Sequence, residues 1–166
     1  MLKSEVQMFK GLPARFGCST ERNPNRAFEK FVTRLVTETL SLSGYEVLSQ
    51  FSKKSWVGNN GDSREIRPDI IVKSGRDVIA IIDAKCKEQL SSGDMAEIAL
   101  YAKEFNVKKA VAVLPTYPGR EGIRWNSIDT DTTIFEKRID IEQVIVDLKN
   151  GYTGDISRMI HIWAGV

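Results

Sequence analysis

Apolar residues recur at helical spacing from Phe28 through Phe31, Val32, Leu35 and Val36 to Leu40, with charged and hydroxyl residues between them. That period predicts an amphipathic helix. Asn23 and Pro24 supply its start, as N-cap and first helical residue, and Gly44 its stop. Downstream the period shortens. Residues 45–51 read as a first strand, Gly58-Asn59-Asn60-Gly61-Asp62 as the tip of a hairpin, and residues 65–73 and 77–85 as two strands joined by Ser74-Gly75-Arg76. Ser91 or Ser92 can cap a second helix over 93–105, and 109–114 then form a buried strand that ends at Pro115. Residues 115–131, rich in Pro, Gly and Arg, read as one long loop, 132–139 as a further strand, and 140–163 as one or two helices. The order helix, three strands, helix, strand predicts an α/β protein with a mixed central sheet flanked by helices. Residues 1–22, with Gly11, Pro13 and Gly17 among charged residues, read as an irregular N-terminal arm or short helix ahead of a single domain expected over 23–166.

Composition narrows the class of protein. A chain of 166 residues with 42% hydrophobic and 28% charged residues can bury a full core as one domain. Its 24 basic and 22 acidic residues give a net charge of only +2, so charge alone does not indicate nucleic acid. Within residues 1–34, however, seven Lys and Arg stand against three Glu. Such an excess suits either a solvated face or a phosphate-facing one. Cys18 and Cys86 suggest neither a disulfide framework nor a zinc site, and the lone His161 gives little support to a histidine-rich metal site or a Ser/His/Asp triad. No secretory signal and no apolar run of membrane-spanning length is visible, which makes a cytoplasmic protein the expectation.

The candidate chemistry sits where aliphatic residues would be ordinary. Arg67-Pro68-Asp69 leads one strand, and Asp83-Ala84-Lys85 closes the next. Alternation places Ile79, Ile81, Asp83 and Lys85 on one strand face. An aspartate and a lysine two apart could be an edge salt bridge. Antiparallel pairing, though, would bring Asp69 to Asp83 at one end of the hairpin, where two carboxylates repel unless a cation lies between them. On the first helix Glu29 falls between Val36 and Leu40 on the wheel, at the border of the apolar stripe, where a carboxylate needs a salt bridge or a metal. Oxygen donors of this kind suit Mg²⁺, and a lysine beside the metal can steer or deprotonate a water, or stabilise charge on a phosphate. Lys53, Lys54 and Trp56, and Arg120, Arg124 and Trp125, combine cations with an aromatic ring, as groups that grip phosphates and stack on bases do.

Taken together, residues 25–32 (NRAFEKFV), 67–70 (RPDI), 82–87 (IDAKCK) and 94–102 (DMAEIALYA) resemble the PD-(D/E)xK nuclease superfamily, and within it the nuclease subunit of methylcytosine-dependent restriction systems (McrC-like). The likeness spans residues 23–118. It implies a restriction-endonuclease-like fold and a Mg²⁺-dependent endodeoxyribonuclease, with Mn²⁺ able to substitute. It further implies Asp69, Asp83 and the Ala84 carbonyl as metal ligands, Lys85 acting on the attacking water, and Glu29 completing the acidic cluster. Glu97 stands where the family favours Gln. The resemblance makes DNA the substrate and a nucleotide-hydrolysing motor subunit a candidate partner, while cutting both strands suits a second copy of the chain. Lys53, Lys54, Arg120 and Arg124 are the DNA contacts that their charge and neighbouring Trp suggest, against the alternative of exposed loop charge beside a half-buried Trp. Two alternatives stay open at this point. One is a non-catalytic DNA-binding or assembly subunit of the same fold; the other is a junction resolvase or transposon-end nuclease.

Overall fold

A computed structural model describes residues 24–128 and 131–166, so Asn23 and the expected N-terminal arm lie outside the described residues. Helix α1 (Pro24–Ser41) leads into β1 (Glu46–Ser49), the hairpin strands β2 (Lys53–Val57) and β3 (Ser63–Ile66), β4 (Ile70–Ser74) and β5 (Asp77–Ala84). There follow α2 (Ser92–Glu104), β6 (Lys109–Pro115), β7 (Arg124–Asn126), β8 (Thr133–Ile139), α3 (Ile141–Asn150) and α4 (Thr153–Ala164).

Six strands form one mixed sheet in the order β1-β4-β5-β6-β8-β7, and β2 and β3 pair separately. β1, β4 and β5 are antiparallel, whereas β5, β6 and β8 are parallel. β5 and β6 read as almost unbroken aliphatic runs because both sheet faces are covered there. On one face Phe28, Phe31, Val32 and Leu35 of α1 pack with Ile156, Ile160 and Trp163 of α4 over Ile82, Val111 and Val113. On the other, Ile98, Tyr101 and Ala102 of α2 cover Ile71, Ile81, Ala112 and Leu114. Ser91 caps α2 through a reciprocal capping box with Asp94. His161, partly buried on α4, is hydrogen-bonded to Ser43 Oγ (2.8 Å) and the Ser157 carbonyl (2.6 Å).

Three expectations need correction. The strand predicted over 65–73 is two strands, because Pro68 has no N–H to give a ladder and the chain turns from the small hairpin into the main sheet around it. The predicted loop 115–131 contains β7, a three-residue edge strand with every residue exposed, so no burial pattern marks it. Ile79 does not share a face with Ile81. Val72 pairs with Ala80 and Lys73 with Val78, which leaves Ile79 as the extra residue of a β-bulge, packed toward α1 while Ile81 packs toward α2.

A candidate acidic site at the end of the β4–β5 hairpin

Ile70 pairs with Ile82, so the register carried one step further sets Asp69 against Asp83. Asp69 Oδ2 accepts the Ala84 N–H at 2.8 Å, which fixes its carboxylate against the end of β5. Asp83 is 1% exposed. Lys85 continues the same face, and its Nζ lies 2.9 Å from Asp83 Oδ2 and 2.8 Å from Glu97 Oε2. The approach to Asp83 is off the hydrogen-bond direction, so that buried oxygen has a charged neighbour but no hydrogen bond. Tyr101 donates its hydroxyl to the other Glu97 oxygen at 2.9 Å.

These neighbours set the protonation states. Burial pushes the Asp69 carboxyl up to about 7, Asp83 and more weakly Glu29 add to the rise, and the Ala84 N–H and Lys85 oppose it. Burial also pushes Asp83 up to about 6, a rise that Lys85 limits and Glu97 and Asp94 reinforce. For Lys85 burial works against the charge, yet Asp83 and Glu97 outweigh it and hold the ammonium above its ordinary value. Burial and the bond to Glu97 hold the Tyr101 phenol up as well.

The expected residues are thus distributed unevenly. Asp69, Asp83 and Lys85 converge. Glu29, half-buried on α1, stands on the Asp69 side, where its Oε1 accepts from Gln50 Nε2 at 2.5 Å. Gln50 also offers its N–H to the Asp69 carbonyl (3.4 Å) from a left-handed backbone with φ of 58°. Among the described residues no three His, Cys, Asp or Glu side chains stand grouped to hold a metal ion. Two adjacent oxygen-donor carboxylates nevertheless fit a hard cation that is held through one or two carboxylates and keeps several waters.

Two of the four proposed DNA contacts are engaged within the protein. Lys53 donates to the Glu104 carbonyl at 2.7 Å and lies 5.4 Å above the Phe105 ring, tying the β2–β3 hairpin to the end of α2. Arg120 bonds Glu88 at 3.1 Å. Lys54 and Arg124 are exposed. A groove of about 1000 Å³ runs along α1 instead, lined by Arg26, Lys30, Arg34 and Arg67 together with Glu29 and Gln50.

Sequence reasoning left Glu97 doubtful and missed Tyr101 and Gln50. Asp94, Glu97 and Tyr101, at i, i+3 and i+7, form a polar stripe on α2, which was a usable signal. Nothing in the sequence marks Gln50. Cys86 is disulfide-bonded, contrary to the expectation drawn from so few cysteines; Cys18 lies outside the described residues. No helix among the described residues is long and apolar enough to cross a membrane. The chain matches no model of a known protein family and no curated protein.

The raised carboxylates give a pH prediction with a definite sign. Both take up a proton near pH 6–7 in the folded protein and only near 3.8 otherwise. The folded state therefore binds more protons across that window, and stability is full below it and lost as pH rises through 6–7. Thermal melts in EDTA are expected to give a transition several degrees higher at pH 5.5 than at pH 8, with Mg²⁺ recovering part of the loss at pH 8. A melting temperature that rises toward pH 8 in EDTA would contradict this charge arrangement.

Proposed function

We propose that the chain is a metal-dependent DNA endonuclease of restriction-endonuclease-like architecture, a hydrolase akin to the PD-(D/E)xK superfamily and to its McrC-like members. The observation that carries the reading is the pair Asp69 and Asp83, set side by side with Lys85 against them at the open end of a sheet. A purely structural role would not favour two neighbouring acids, one buried and one half-buried, since their mutual repulsion and desolvation cost stability. Mg²⁺ or Mn²⁺ held there would polarise the scissile phosphate and lower the pKa of a bound water.

The chain's own residues supply the rest. Asp69 and Asp83 hold the cation, and the Ala84 N–H orients Asp69. Lys85 is held as an ammonium by Asp83 and Glu97, so it serves as a donor rather than a base: it orients the attacking water and stabilises negative charge on the phosphoryl oxygens. Glu97 and Tyr101 position Lys85. Attack on phosphorus breaks the bond to the 3′ oxygen and leaves a 5′-phosphate and a 3′-hydroxyl. The basic side chains of the α1 groove suit a phosphodiester backbone leading to Asp69. A role in restriction or mobile-element defence, beside a nucleotide-hydrolysing motor or as a homodimer, accords with the resemblance.

The decisive assay incubates supercoiled plasmid with the protein in Mg²⁺, in Mn²⁺ and in EDTA. Nicked or linear product in the metals and none in EDTA is expected. Intact plasmid in all three, alone and with a motor subunit and its nucleotide, returns the chain to a non-catalytic binding role.

A further inference from the structure

The sheet register repeats the acid-base pair of β5 two strands away. Asp83 pairs with Ala112, and Ala112 with Glu136. Lys85 donates its N–H to the Val113 carbonyl, so the next row runs from Lys85 through Leu114 to Arg138, which pairs with Leu114. Glu136 and Arg138 therefore stand on the same face and at the same strand ends as Asp83 and Lys85, two interstrand spacings or about 10 Å along the sheet. The carboxyl ends of parallel strands are where α/β proteins place ligands.

The surroundings of this second pair are built. Glu136, 3% exposed, is ion-paired to Arg138 and accepts the Trp125 indole N–H at 3.3 Å. Arg138 also donates to the Pro115 carbonyl at 3.2 Å. Its side chain is 9% exposed, and its Nε is buried with no hydrogen-bond partner. Gly122 lets the preceding loop close down on β8, since a Cβ there would meet the Glu136 carbonyl oxygen at 2.4 Å. Above the pair opens a pocket of about 750 Å³ with Trp125, Ile123 and Leu90 on its walls. Trp125 and Ile123, at 37% and 46% exposed, give it apolar lips on an otherwise polar floor. A flat ring with a hydrogen-bond acceptor suits this lining: a face for the exposed indole, and an acceptor for the guanidinium of Arg138, which lines the same pocket.

We propose that this pocket receives an unstacked nucleobase of the DNA strand being cut, next to the phosphate held at Asp69 and Asp83. The assignment rests on the nuclease reading for what lies beside it, and on the pocket's own chemistry for the base. Trp125 stacks on the base, and Arg138, locked by Glu136 and the Pro115 carbonyl, donates to its ring. Stacking of this kind tolerates any base, so it contributes affinity and placement rather than sequence choice.

The test is a binding measurement in EDTA, independent of cleavage. Fluorescence anisotropy compares a short single strand with an abasic phosphodiester strand of equal length. The wild-type protein is expected to bind the base-bearing strand at least about fivefold tighter, the lower range for one stacked base. Trp125→Ala should bring the two affinities within about twofold while leaving the abasic affinity unchanged, and Trp125→Phe should keep most of the preference. Photo-crosslinking of the wild-type protein to a strand carrying 5-iodouracil, mapped by mass spectrometry, should mark Trp125 and needs no variant to fold. Equal wild-type affinities, a preference that survives Trp125→Ala, or a crosslink confined to Trp56 overturns the proposal. Base preference without plasmid cleavage in any metal, alone or with a motor subunit and its nucleotide, would sink the nuclease reading and leave the pocket standing. Cleavage without base preference would do the reverse.

Discussion

Lys85→Ala is expected to lower plasmid nicking by about 10²–10³-fold or more, the loss typical of removing one charge-stabilising donor at a reacting centre. Nζ sits between Asp83 and Glu97, 2.9 and 2.8 Å away, and is the cationic group nearest the paired acids in the site. Removing it takes away the donor to the attacking water and to the phosphoryl oxygens, but no metal-binding oxygen. Affinity for Mg²⁺, measured by titration calorimetry, should hold or rise, because Lys85 no longer competes with the cation for Asp83. The fold should persist, since Asp83 can take up a proton once its cationic neighbour is gone. Loss of cleavage with retained Mg²⁺ binding separates this role from a structural ion pair. Equal cleavage by wild type and variant removes Lys85 from the chemistry.

How much of this was visible beforehand follows from where side-chain periodicity survives. α1, β5 and β6 were legible because each buries one stripe or both faces, and the alternation of β5 alone placed Asp83 and Lys85 together. The meeting of Asp69 with Asp83 followed from assuming an antiparallel hairpin, and the register supports it. The failures lie where local geometry breaks periodicity. A bulge at Ile79 reverses the facing of that residue and of Val78 before it, and β7 is short, exposed and at an edge. Lys53 and Arg120 looked like phosphate contacts because sequence gives charge without its partners. Glu104 with Phe105, and Glu88, occupy them. Glu97 looked like a departure from the family pattern, yet its place one helical turn before Tyr101 delivers a carboxylate to Lys85. That bridge depends on how α2 is laid across the sheet, a tertiary fact no local spacing contains.

Asp83→Asn should abolish cleavage by a different route, and it should make the metal-free protein more stable. The substitution keeps the shape of the side chain and removes a charge that burial and its acidic neighbours disfavour, leaving Lys85 paired with Glu97. Asp69 then loses the repulsion that ranks next after burial in raising its pKa, so its carboxyl falls back toward the ordinary range. At pH 8, where both acids of the wild type are ionised, relief of that repulsion is expected to contribute about 1–2 kcal/mol, or about 2–8 °C in melting temperature for a chain of this size. The advantage should shrink toward pH 5.5, where the wild-type acids hold protons. Mg²⁺, which raises the wild-type melting temperature, should leave the variant unmoved, and its calorimetric signal should vanish with nicking. The expected pattern is therefore lower activity, higher metal-free stability and no metal response in one variant. A variant that melts lower than wild type in EDTA at pH 8 would mean that the Asp83–Lys85 pair holds the fold together. The acidic site would then be a structural salt bridge, and the case for a built cation site would fail with it.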